Sequence, residues 1–242
     1  MRIMLLASCL LLTACDRLGL GGNEEGGPKR SYSVSAFTGL TVAGPHDVIV
    51  TYGPAHAVRA EGDPQVLDGL MINSEDGELW IGNRRGGMFN TASGKAVVYV
   101  TVPRLESATI AGSGDLRIDR TESTSFEGTI GGAGNLQIDE LTSRNARFSI
   151  AGAGDLKVKG TTDQSEFRIA GSGDVNAAEF KSRTAAVSIA GSGSVTAYAS
   201  ERASVSIMGS GDVAVNGTDR CTINKLGSGN VSCHSVPSDK KA

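Results

Sequence analysis

The motif Ile110-Ala111-Gly112-Ser113-Gly114-Asp115-Leu116 returns six more times along the chain, at 130–136, 150–156, 169–175, 189–195, 207–213 and, degraded, 225–231. The first glycines of the seven copies fall at 112, 132, 152, 171, 191, 209 and 227, in steps of 20, 20, 19, 20, 18 and 18 residues. A period this steady marks stacked units, each too small to bury its apolar face alone. Within a copy the apolar residues alternate, as in Phe148 and Ile150 before the glycines and Leu156 and Val158 after them. Period two is the signature of a strand with one face inward.

Parity carries across the glycines, so Ile150, Gly152, Gly154 and Leu156 are all expected to face inward, with the glycines letting the backbone turn a corner close to the core. Each copy thus reads as strand, corner, strand and a variable polar return such as Asp139-Glu140-Leu141-Thr142-Ser143-Arg144. Coils stacked about 4.8 Å apart would align the Ile and Val of successive copies into continuous interior columns. The predicted fold is all-β, a parallel β-helix with coils of roughly 20 residues. Composition agrees: 33 glycines against 6 Phe, 4 Tyr and 1 Trp suit strands and tight bends rather than a helix-rich enzyme. A net charge of −3 lacks the basic bias of a nucleic-acid binder, and no nucleic-acid partner is expected.

Residues 32–109 lack the short glycine motif but remain strand-like, notably at 47–52, 57–60, 79–81 and 96–102, with turn signals at Gly53-Pro54, Gly62-Asp63-Pro64 and Asp76-Gly77. They are expected to form irregular first coils and the N-terminal cap, with a separate small β-domain as the alternative. Residues 110–234 are expected to be the repetitive coils and 235–242 a disordered tail.

At the N-terminus, Arg2 precedes the apolar stretch from Ile3 to Leu12, too short to span a bilayer as a helix and suited to an export signal. It ends in Leu12-Thr13-Ala14-Cys15, which resembles a bacterial lipobox. That resemblance implies a signal peptide over 1–14, acylation of Cys15 and a lipid bilayer as partner, because two or three acyl chains anchor firmly where one does not. Residues 15–31, rich in glycine and charge, read as a flexible tether. The expected location is the bacterial cell envelope, with the periplasmic face of either membrane or the cell surface left open. In an oxidising compartment Cys221 and Cys233, 12 positions apart, are a disulfide candidate that would bridge the last coil. A metal site or a redox pair are the competing readings, and neither has a third ligand or a CxxC motif to support it.

The opening Phe37-Thr38-Gly39-Leu40 with Asp47-Val48-Ile49-Val50, then Gly77-Glu78-Leu79-Trp80-Ile81, Val100-Thr101-Val102-Pro103-Arg104-Leu105 and the serial Gly-Ser-Gly-Asp copies resemble the bacterial auto-transporter adhesin head, GIN domain family. The likeness runs from about Phe37 to Val231. It implies a right-handed, pectin-lyase-like parallel β-helix, no established catalytic residues and a role in adhesion. With no translocator strands expected after residue 231, lipoprotein export stands in for auto-transport.

After each glycine pair comes a polar residue: Asp115, Asn135, Asp155, Asp174, Ser194, Asp212 and Asn230. Stacking would align them into one outward column beside a second column of Ser and Ala. Such residues accept hydrogen bonds from backbone N–H groups at corners. The alternative is a ligand or calcium ladder through Asp115, Asp155, Asp174 and Asp212, but calcium takes six to eight oxygens and two neighbouring carboxylates supply few. No cofactor and no resident metal are expected. His46, His56 and His234 lie in no nucleophile or zinc motif, and no G-x-S-x-G elbow is present. The sequence therefore reads as a non-catalytic module binding a glycan or an envelope protein, with the loop at 84–89 expected to be solvated and contact with a partner there as the alternative. A polysaccharide lyase or hydrolase on the same scaffold is the alternative.

Overall fold

The structure, a computed structural model, describes residues 28–84 and 94–235. The expected signal peptide, Cys15, the tether up to residue 27, residues 85–89 of the 84–89 loop and the tail from 236 lie outside the described residues.

In chain order the strands are β1 (Lys29–Tyr32), β2 (Gly39–Gly44), β3 (Asp47–Tyr52), β4 (Ala57–Glu61), β5 (Leu70–Glu75), β6 (Glu78–Asn83), β7 (Val97–Val102) and β8 (Ser107–Gly112). The long strands β9 (Leu116–Gly132), β10 (Leu136–Gly152), β11 (Leu156–Gly171), β12 (Val175–Gly191) and β13 (Val195–Gly209) follow, then β14 (Val213–Asn216), β15 (Cys221–Gly227) and β16 (Val231–His234). One short helix, α1 (Pro64–Gly69), joins β4 to β5. Residues 29–31, assigned to the tether from sequence, are instead part of β1, paired antiparallel with β4.

The long strands wind into a β-solenoid of about six turns, each paired in parallel with its neighbours. Ile130, Ile150, Ile169, Ile189 and Ile207 fall in register on one side of the corner. Leu116, Leu136, Leu156, Val175 and Val195 do so on the other, and all ten are buried. Alternation is the cause of the columns, and its interruptions cause the bends. In β9 it slips at 119–120 and again at 124–125, between the buried Ile118, Thr121 and Phe126, so the coil turns twice there and a third time at the glycine corner. In the middle coils the Phe148 and Phe167 rings stack with centroids 5.6 Å apart. Room for Phe148 comes from Gly128 in the coil before it, where a Cβ would lie 2.6 Å from the ring.

The corner glycines act differently from the sequence expectation. Gly154 is buried and Gly152 half-buried, but the missing side chains would point along the solenoid axis rather than into the core. A Cβ on Gly152 would lie 2.1 Å from the Gly132 carbonyl oxygen, and one on Gly154 2.1 Å from that of Gly134. Those oxygens are held close because the corners bond to one another: Ala153 and Gly154 both donate to Gly132 O, at 2.9 and 3.2 Å. Glycine is therefore demanded by the neighbouring coil.

The N-terminal third is continuous with the solenoid, and its coils stack out of chain order. β2 and β3 lie against the first regular coil, formed by β8 and the start of β9, whereas β6 and β7, later in sequence, pack outside them. The antiparallel strands β4 and β5 then turn the two sides away from further parallel stacking. Gly62-Asp63-Pro64, read as a turn, starts α1: Asp63 caps the Gln65 N–H and proline takes the first helical turn, where its missing donor costs nothing. Val66 and Leu67 of the helix are buried.

Residues 43–48 are also a disguised copy of the corner, since Gly44 pairs with Gly112 and Val48 with Leu116. His46 stands where later copies have their second glycine. His46 is 1% exposed, and its ring joins the two ends of the outermost coil, Nδ1 accepting from the Ala96 N–H at 3.2 Å and Nε2 lying 2.6 Å from Asn83 Oδ1.

At the opposite end, among the described residues, β15 pairs only with β13. The column position filled by Ile207 is taken there by Lys225, whose Nζ donates to Gly229 O at 2.8 Å. An inward cation discourages further strand addition at an open edge. Cys221 and Cys233 form a disulfide between β15 and β16 that closes this last coil. Among the described residues no helix is long and apolar enough to cross a membrane.

Candidate functional site

Two surface features run along the solenoid axis. The first is the corner column. Asp115, Asp155, Asp174 and Asp212 lie on the exposed outer edge of successive corners, as the repeat requires. Their hydrogen bonds go forward to the next coil instead of back into their own turn. Asp115 Oδ1 accepts from both the backbone and side-chain nitrogens of Asn135, at 3.0 and 2.9 Å, and Asn135 Oδ1 accepts from Asp155 N at 3.0 Å. Asp155 Oδ1 takes Asp174 N at 2.9 Å, Asp174 Oδ1 takes Ser194 N at 2.7 Å, and Asp212 Oδ1 takes Asn230 N at 2.7 Å. The column starts one coil earlier than the sequence suggested, with Asp47 Oδ1 accepting from Asp115 N at 3.1 Å. Each of these side chains thus clasps two coils at the corner, by charge-assisted bonds wherever the acceptor is aspartate. Among the described residues no three or more His, Cys, Asp or Glu side chains are grouped as metal ligands.

The second feature is a shallow groove of about 550 Å³ crossing β10, β11, β12, β13 and β15 on the side where the polar return meets the strand leading to the corner. Its floor is the inward-facing series Ala146, Ser165, Ala185 and Ala203, paired in register. Small residues there bring the backbone close to the axis, and the outward residues on either side become walls. Asn145, Gln164, Thr184 and Arg202 form one wall; Arg147, Glu166, Ala186, Ser204 and Thr222 form the other. Five strands at about 4.8 Å spacing give a groove roughly 19 Å long.

Its charge is uneven. Glu166 is gripped by two guanidinium groups, Arg147 Nε at 3.1 Å and Arg168 Nη2 at 2.5 Å, and Glu127 on β9 lies in register beside Arg147 just beyond the groove. Arg202 at the other end makes no ion pair among the described residues. Between them the lining is amide, hydroxyl and methyl. On the rim behind, Arg183 bonds to Glu201 at 2.9 Å and holds that carboxyl below its ordinary pKa.

None of the groove residues was singled out from sequence, because they fall in the stretch read as a variable return. A signal existed: the small inward residues at 146, 165, 185 and 203 recur in steps of 19, 20 and 18, in phase with the corner glycines. Arg84, the described part of the loop at 84–89, is exposed and its N–H bonds to Gly69 O at 2.9 Å.

Comparison with known proteins gives a consistent picture. The family described as "Putative auto-transporter adhesin, head GIN domain" matches residues 36–219, well over half of the chain. Among solved structures, a "putative adhesin" from Bacteroides fragilis aligns with TM-score 0.78 and 20% identity over 86% of this chain and 96% of its own. A "putative lipid binding protein" from Parabacteroides distasonis aligns with TM-score 0.69 and 24% identity over 88% and 98%. A "putative adhesin" from Parabacteroides merdae follows at 0.67 and 15%, over 88% and 98%. At these identities the likeness is one of fold. No curated protein matches the chain.

Proposed function

Because the chain belongs to the auto-transporter adhesin head, GIN domain family, we propose that it is a cell-envelope lipoprotein whose β-helical head binds a glycan or protein without turning it over. The groove across β10–β15 carries this reading. Its walls stand on strands whose backbones are fixed by their neighbours, and its side chains are mostly short, so little conformational freedom is lost when a partner docks. Acylation of Cys15 would place the tether between the bilayer and β1, leaving the groove and the disulfide-closed end on the far coils.

Two experiments test the halves separately. Labelled fatty acid fed to an exporting bacterial host should appear on the full chain and not on Cys15→Ala, which should leave the membrane fraction; equal labelling of both would remove the anchor. The full chain in detergent should bind components of a glycan array or whole cells without shortening any polysaccharide offered to it. Reproducible depolymerisation would replace the adhesin reading with an enzyme.

A further inference from the structure

We propose that the groove takes a linear polysaccharide bearing acid groups, a ligand class that deepens the binding reading above and rests on it. Three observations combine. First, the charged side chains lining the groove are Arg147, Glu166 and Arg202, and Arg168 reaches in to share Glu166. The protein as a whole is negative, at −3, while the groove lining carries two arginines against one glutamate. Second, all its cations are arginines, whose planar fork matches carboxylate or sulfate oxygens in pairs where a lysine offers a point charge. Arg202 makes no direct ion pair among the described residues, its charge acting on Glu201 only at a distance, so its donors are available without breaking one. Third, the lining between the charged ends is Gln164, Thr184, Ala186 and Ser204, hydrogen-bonding groups suited to the hydroxyls of a sugar chain laid lengthwise.

An acidic peptide would satisfy the charge but not the rest. Extended peptides gain affinity by adding a strand to an open sheet edge and by seating side chains in pockets. On the groove floor the strands β10 to β13 are already paired in register with both neighbours, and the floor itself is flat Ala and Ser. From Arg147 and Arg168 to Arg202 is two to three coils, roughly 10–14 Å. A chain with acid groups at intervals spans that distance with its neutral units over the middle.

The test measures binding of the full chain in detergent to polygalacturonate, a sulfated glycosaminoglycan, neutral dextran and poly-glutamate. Variants are Arg202→Gln, Arg147→Gln and, as a control of equal charge change on another side, Lys157→Gln. Thermal melts check that each variant folds. The expected result is that the uronate polymer, the sulfated one or both bind at least tenfold more tightly than dextran. Arg202→Gln and Arg147→Gln should each weaken that binding about tenfold or more, the loss expected for one charged hydrogen bond, and Lys157→Gln less than twofold. Preference for the uronate or the sulfated polymer identifies which acid group is read. Equal loss from Lys157→Gln, or equal binding of dextran, overturns the ligand class. Poly-glutamate bound as tightly and with the same arginine dependence assigns the groove to acidic peptides instead. Should none of the four polymers bind while the array or cells do, this inference falls and the binding reading stands; should nothing bind in either assay, both fall.

Discussion

Gly131 and Gly132 are adjacent in sequence and should respond in opposite ways to the same substitution. A Cβ on Gly131 points outward and meets nothing closer than Ile110 O at 3.6 Å, and the neighbouring coils already carry alanine in register, Ala111 and Ala151. A Cβ on Gly132 would lie 2.2 Å from Gly112 O, more than an ångström inside ordinary contact, at a φ of +151° that side chains rarely adopt. The struck oxygen is the acceptor for two bonds, from Ala133 N at 3.0 Å and Gly134 N at 3.2 Å. Displacing it forfeits about 1 kcal/mol for each bond, and the backbone conformation adds roughly 1–3 kcal/mol for a residue other than glycine. Gly132→Ala should therefore cost roughly 3–5 kcal/mol, which for a domain of this size is a fall in Tm of roughly 6–20 °C. Gly131→Ala should be neutral, or stabilising by up to about 1 kcal/mol through the unfolded chain. Thermal unfolding followed by circular dichroism, with urea titration as a second measure, separates them. If the two variants melt within a degree or two of each other, the account of the corner as a contact between coils is wrong.

Other outcomes follow from the ends and the surface. Replacing Cys221 and Cys233 by serine should cost about 3 kcal/mol in loop-closure entropy. Amide exchange should quicken in β14–β16 and stay unchanged in β9–β11, because stacked coils feel mainly their neighbours. His46→Ala should destabilise by about 2 kcal/mol or more, since the Ala96 N–H and Asn83 Oδ1 both lose their partner, with loss of exchange protection concentrated at β6 and β7. In acid, three carboxyls matter. Burial pushes Asp139 up, but Gln137 and Arg117 together hold it below the ordinary range; Lys159 lowers Glu179 and Arg183 lowers Glu201. Groups depressed on folding stabilise fully above the ordinary carboxylate range and lose that contribution as pH falls through it. Tm should therefore hold steady above about pH 5 and drop below about pH 4, with a shallower drop in the Asp139→Asn, Glu179→Gln, Glu201→Gln triple variant.

What the sequence disclosed and what it hid have physical reasons. Ile150, Leu156 and their counterparts announce the coils because each copy faces the same neighbours and so needs the same residues. Residues 43–48 keep only Ala, Gly, Asp and an aliphatic of that pattern, Ala43-Gly44-Pro45-His46-Asp47-Val48. Their neighbour on one side is the outermost coil, where a side chain at 46 has Asn83 and Ala96 to meet and glycine is not demanded. The exchange of stacking order between the β2–β3 and β6–β7 coils leaves no trace in spacing, because alternation fixes which side of a strand is buried and not which strand lies beside it. The aspartate column could be placed from the repeat, but its forward bonds depend on the offset between coils, which no single copy encodes. The groove was masked by variation in its walls: Asn145, Gln164, Thr184 and Arg202 share a position and no chemistry.

The forward hand-off at each corner, where one rung's oxygen receives the amide of the rung above, gives every interior rung the same pair of backbone edges. A segment duplicated in frame within residues 110–209 would meet matching backbone edges above and below itself, while His46 at one terminus and Lys225 and the Cys221–Cys233 bridge at the other would be untouched. Length in such a molecule is an adjustable dimension, set by the count of rungs and separable from the devices that close either terminus.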